Sequence, residues 1–169
     1  MDAFIEKLVS KKRKISDYIL NLGIVVGSLL LSLVALTMLA DLLGSIAFLI
    51  IAAIIYFAYK LIQLTSIEFE YIVTNGSLDI DKITAQRKRK RIFSAECRDF
   101  EVMAKVKGSN YGQHIESITR KINAASSADP DGEYFIVLPY KGERTVVYFE
   151  PDKRMLDSFR RFIPRKILD

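Results

Sequence analysis

The chain has 169 residues, of which 50% are hydrophobic, with 25 Lys and Arg set against 20 Asp and Glu. A single cysteine excludes an internal disulfide framework, and a single histidine leaves little from which to build a metal centre. A net charge of +5 drawn from both signs argues against a uniformly basic nucleic-acid binder.

In residues 1–16, Phe4, Ile5, Leu8 and Val9 recur at helical spacing, with Glu6, Lys7, Ser10 and Lys11 on the other side. This pattern predicts an amphipathic basic tail. It would either lie in the inner membrane interface with its bases near anionic headgroups, or simply extend the first apolar helix.

Tyr18 to Ala40 is a run of 23 residues without a charge, and after Asp41 another 18 follow, Leu42 to Tyr59. As helices they reach roughly 35 and 27 Å, close to a hydrocarbon core of about 30 Å. The few residues at Asp41–Ser45 allow only a tight return, so the pattern predicts a transmembrane hairpin over 17–63, with helices at about 17–40 and 43–62. A cleaved leader would have a shorter apolar run and a small-x-small site, for which Met38-Leu39-Ala40 is a poor fit. Lys7, Lys11, Lys12, Arg13 and Lys14 precede the hairpin and Lys60 follows it, while the turn holds no base. By the positive-inside rule both termini are cytoplasmic and the protein is a multi-pass protein of the cell membrane. Gly23 and Gly27 form a small-xxx-small pair, which contacts within the hairpin would use, with dimerisation through it as the alternative. With no ionisable group at mid-depth, the hairpin reads as an anchor, not an ion path.

The remainder, 66–169, suits one cytoplasmic domain. Ile67, Phe69, Tyr71 and Val73 alternate with Glu68, Glu70, Ile72 and Thr74, the period of a half-buried strand. Asn75-Gly76 is the strongest two-residue hairpin signal. It predicts Val73 opposite Leu78, Tyr71 opposite Ile80, and Glu70 opposite Asp81. Strands are also expected at Arg87–Phe93 and Phe100–Val106. A second hairpin turns at Lys141-Gly142, and because both of its faces are apolar it is either central or covered on two sides. Pro151-Asp152 opens a helix carrying Met155, Leu156, Phe159, Phe162 and Ile163, which Pro164 limits. The fold class is therefore α+β: a two-helix hairpin, then a small bent antiparallel sheet of six strands closed by a C-terminal helix. The intervening 107–132 reads as a turn, a short helix marked by Ile115, Ile118 and Ile122, and a Ser/Asp/Pro/Gly stretch.

The sharpest charged feature is Arg87-Lys88-Arg89-Lys90-Arg91. Alternation sends Arg87, Arg89 and Arg91 one way and Lys88 and Lys90 the other. These five are the candidate lipid- or partner-binding residues. A solvated strand edge that resists further pairing is the competing reading. No aromatic residue is interleaved, which argues against nucleic acid. The pairs Glu68/Glu70 and Asp79/Asp81 read as solvated faces. His114 and Cys97 lack the companions that a metal site or a catalytic pair requires. No glycine-rich phosphate loop, nucleophile elbow or HExxH is present. No catalytic residue, metal or cofactor is assigned, and the chain does not read as an enzyme.

Tyr71-Ile72-Val73-Thr74-Asn75-Gly76-Ser77-Leu78-Asp79-Ile80, the basic run with Ile92, and Asp99-Phe100-Glu101-Val102 resemble the core of bacterial membrane-tethered pleckstrin-homology-like (PH-like) domains. The whole chain, with Phe149-Glu150-Pro151 and Pro164-Arg165-Lys166, is similar to an uncharacterised Firmicutes family of short two-span membrane proteins. The resemblance implies an architecture and an inner-membrane location, and carries over no catalytic residue. Together these readings predict a membrane-anchored binding or scaffold module contacting the bilayer, anionic lipid headgroups, or a membrane or cytoplasmic protein partner. The alternative is a structural or regulatory subunit of a larger membrane complex.

Overall fold

The computed structural model describes residues 4–108, 112, 115, 118–127 and 131–168, with the side chains of 39–43 left aside. The chain forms two compact units: 13–66, and 1–12 joined with 67–169.

The first of these is a pair of helices, α1 (Ile15–Leu43) and α2 (Ile46–Leu64), joined through Gly44, whose φ of +52° suits a residue without Cβ. Their spans Ile15–Met38 and Ile46–Leu64 are long and apolar enough to cross a membrane. Leu29, Leu33, Phe48, Leu49 and Phe57 are all exposed, a surface that water would disfavour strongly. The small-residue pair is not consumed by the hairpin as expected. A Cβ added at Gly23 or Gly27 would meet nothing within 4 Å. Both glycines instead open onto an apolar groove of about 550 Å³ that Ile54, Phe57 and Ala58 of α2 also line.

The second unit contains two sheets. One has the order β1-β2-β3-β4, built from Phe4–Ser10, Ile67–Thr74, Ser77–Thr84 and Lys88–Glu96. The other has the order β6-β8-β7-β5-β9. Its strands are β5 (Val102–Lys105), β6 (Arg120–Asn123), β7 (Tyr134–Tyr140), β8 (Glu143–Phe149) and β9 (Ile167–Leu168). The α+β class holds, with more strands than the six expected.

The β2–β3 register is the predicted one, with Val73 opposite Leu78, Tyr71 opposite Ile80 and Glu70 opposite Asp81. Asn75 and Gly76, at φ +47° and +85°, supply the turn. Helix α3 (Lys153–Phe162) starts where Asp152 Oδ1 accepts a hydrogen bond from Met155 N at 2.8 Å. It buries Met155 and Phe159, and Ile163 just beyond it, against Tyr71, Phe93, Phe100 and Phe149. Edge-on ring contacts link Tyr71 to Phe149 and Phe149 to Phe159, at 5.8 and 6.2 Å between centroids. Phe162, expected in the core stripe, is half exposed and lies over Gly76, where an added Cβ would come within 3.0 Å of its ring. The β7–β8 hairpin is both central and covered on two sides: a second cluster with Phe135, Val137, Val146 and Tyr148 fills its other face.

Two expected helices are strands instead. Residues 4–10 form β1, not a helix, pairing antiparallel with β2 from Phe4 opposite Thr74 to Ser10 opposite Glu68. A helix that short has little stability of its own. Pairing with β2 buries Val9, packs Ile5 on the core and lets Lys7 Nζ donate to the Glu150 carbonyl at 2.8 Å. Likewise Ile122, expected in a short helix, lies in β6, which runs parallel to β8. The turn expected at 108–112 falls largely outside the described residues, as does His114.

Candidate functional site

The basic run begins in a tight turn. Arg87 N donates to Thr84 O at 3.2 Å, and the two central residues, Ala85 and Gln86, have φ of +55° and +53°. This left-handed geometry is costly for residues other than glycine or asparagine. Lys88 to Arg91 then open β4, an edge strand.

A bulge decides where the arginines point. Opposite Ile80 stands Phe93, but opposite Asp81 stands Arg91, so Ile92 is an extra residue in β4. Phe93 thus faces the core while Arg91 and Arg89 share the outer face with Glu70, Asp79 and Asp81. Arg89 Nη2 meets Glu70 Oε1 at 2.9 Å. Arg91 Nη1 meets Asp79 Oδ2 at 2.6 Å, and its Nε binds Asp81 Oδ1. Ser94 Oγ donates to Asp79 Oδ1 at 2.6 Å.

Glu70 and Asp81 are therefore not solvated carboxylates: they are 3% and 4% exposed. Burial, with Glu6 alongside, holds the Glu70 carboxyl above its ordinary range, while Arg89 pulls the other way. Its second oxygen, Oε2, is buried without a hydrogen-bond partner. Hydrogen bonding to Asp81 and attraction from Asp79 in turn hold Arg91 charged.

The five bases thus fall into two groups. Arg89 and Arg91 are counter-ions of acids inside the domain. Arg87, Lys88 and Lys90 are exposed and have no ion pair among the described residues. Sequence reasoning missed Lys82, which stands directly opposite Lys90. It also missed the acids that hold the arginines; the Glu70–Asp81 pairing was legible, but its neutralisation from a third strand was not.

Elsewhere Cys97 is buried and its thiol is pushed up to about 12, which leaves it protonated and unreactive. A buried polar network centres on Glu150, whose carboxylate accepts from Ser126 N and Oγ at 2.8 and 2.6 Å. Tyr71 Oη donates to Ala124 O at 2.6 Å in the same network. These bonds fasten the 124–126 segment to the core, and the Ser126 carbonyl accepts from Lys12 N at 2.8 Å. A hollow of about 500 Å³ lies at the β2–β3 turn, lined by Asn75, Gly76, Glu96, Arg98 and Phe162 among others. The described residues contain no group of three or more His, Cys, Asp or Glu placed to hold a metal ion.

No curated protein and no solved structure matches the chain. One family model, described as Bacterial PH-like domain (DUF6106), matches residues 1–169 in full. Two sheets with a helix packed on their shared core accord with that description, and the chain belongs to this family of bacterial PH-like domains.

Proposed function

We propose that this chain is a membrane-anchored binding or scaffold module. Its two helices cross the inner membrane as a hairpin, both termini are cytoplasmic, and the PH-like domain is held at the leaflet, where the basic run meets anionic headgroups or a protein partner. The observation that carries this reading is the β1–β2 ladder. β1 precedes α1 in sequence and β2 follows α2, yet the two strands pair along their whole length, from Phe4 opposite Thr74 to Ser10 opposite Glu68. Strands in one sheet occupy one side of a membrane, so the apolar segment between them must cross an even number of times. A cleaved leader would remove β1 and leave Val9's place in the core empty. The bases on both flanks then select the cytoplasmic side. The proposed division is an anchor over about 17–63 and a domain over 66–169 that residues of the 1–16 tail complete.

The second reading, a subunit of a larger membrane complex, draws on the groove at Gly23 and Gly27, since open small residues favour close approach of another helix. Reporter fusions after Asp169 and between Gly44 and Ser45 should report opposite sides of the membrane, with the C-terminus inside; an exported C-terminus refutes the topology. Purification in mild detergent separates the two roles. A stoichiometric membrane partner favours the subunit, and a chain retaining anionic lipid favours the module.

A further inference from the structure

The inner face of the β1–β4 sheet changes character along its length. Successive rows across β2, β3 and β4 read Val73–Leu78–Ala95, then Tyr71–Ile80–Phe93, then Phe69–Lys82–Lys90. The first two rows are core. In the third, two lysines stand opposite each other, a pairing of like charges that weakens a ladder. Lys88 follows on the same face, and Arg87 sits in the strained turn beyond it. No ion pair neutralises any of these four among the described residues.

This cationic end is also where the chain departs for the apolar helices. Thr84, at the base of the turn, stands opposite Ile67, and Lys11 N donates to Ile67 O at 3.0 Å. Only Thr65 and Ser66 separate Ile67 from Leu64, the end of α2. Thr84 is thus joined to the end of the apolar helix through one strand pair and two linking residues.

We infer that Lys82, Arg87, Lys88 and Lys90 form a docking surface for the anionic headgroups of the bilayer that holds the helices, and that Arg89 and Arg91 take no part in it. This rests on the membrane-anchored reading above and narrows its contact. The occupant is a bilayer because the charges are spread along an exposed strand end of a sheet whose chain leads within two residues into an apolar span, an arrangement that matches a surface of many diffuse phosphates. The like-charge row, unfavourable within the domain alone, is what an opposing sheet of negative charge would relieve.

The test uses the full chain in lipid nanodiscs, with Gln86→Cys carrying a fluorophore and a quencher attached to the lipid headgroups. Buried Cys97 stays unlabelled. In discs containing phosphatidylglycerol the dye should be quenched, and salt should release it. In neutral phosphatidylcholine discs it should stay bright. The triple variant Lys82→Gln/Lys88→Gln/Lys90→Gln should lose the quenching, whereas a charge-matched control, Lys121→Gln/Lys141→Gln/Lys153→Gln, should keep it. Equal quenching in neutral discs, equal loss in the control, or a bright dye in both lipids overturns the docking surface. If the protein stays in the discs and resists alkaline extraction with the dye bright, anchoring survives and only docking fails. If alkali releases the protein, both fall.

Discussion

Arg91 and Lys90 are neighbours in sequence, both basic and both exposed at their tips, yet they should respond differently to the same substitution. Arg91 binds Asp81, which is 4% exposed, and reaches Asp79 at 2.6 Å. Replacing it with Gln leaves two carboxylates on one strand face with their cation gone. Removing one partner of a fully buried pair costs about 3–5 kcal/mol. The Arg91 side chain is 46% exposed, so solvent screens part of that, and the expected loss is about 2–3 kcal/mol. Lys90→Gln removes a charge with no ion pair among the described residues and should stay within about 0.5 kcal/mol. The assay is urea unfolding of the full chain in mild detergent, followed by tyrosine fluorescence. Adding Asp81→Asn to Arg91→Gln should restore part of the loss, since the buried charge then disappears with its partner. Equal effects of Arg91→Gln and Lys90→Gln, or no recovery in the double variant, would refute the division of the basic run into counter-ions and bases without an ion pair. One corollary is that replacing all five bases together confounds binding with folding.

Two further outcomes test the sheet. A chain of residues 66–169 alone lacks β1 and should unfold at lower urea than one in which 1–12 is joined to 66–169 by a flexible Gly/Ser linker; equal midpoints would mean that β1 contributes nothing to the core. The Glu70 carboxyl sits above its ordinary value of 4.5 because of burial and Glu6. The stability that its neutral form provides is therefore complete below 4.5 and is lost as pH rises through the raised value. Glu70→Gln, which mimics the neutral form, should accordingly gain on the wild type as pH rises from 4 to 7, and a gap that closes instead would reverse the sign and refute the assignment.

Much was legible from order along the chain. The charge-free runs located α1 and α2, Asn75-Gly76 fixed the β2–β3 register, and Pro151-Asp152 with the stripe through Met155 and Phe159 located α3. Each of these depends on residues within a few positions of one another, where turn geometry and helical or strand period act directly. β1 was not legible, because Phe4, Ile5, Leu8 and Val9 satisfy a helical period over so short a stretch. What makes them a strand is an edge on β2, offered by residues beyond the whole apolar hairpin. β6 was missed for the same reason, since its partner β8 is distant and parallel.

The site followed the same boundary. Sequence alone determined that five bases are consecutive and that strand alternation separates Arg89 and Arg91 from Lys88 and Lys90. Only the tertiary structure decided their roles, through one extra residue. The bulge at Ile92 returns Phe93 to the core while leaving Arg91 on the outer face, beside two acids of the neighbouring strand β3. Charge is local information, but neutralisation depends on which strands stand side by side, and that order is set by packing of the shared core.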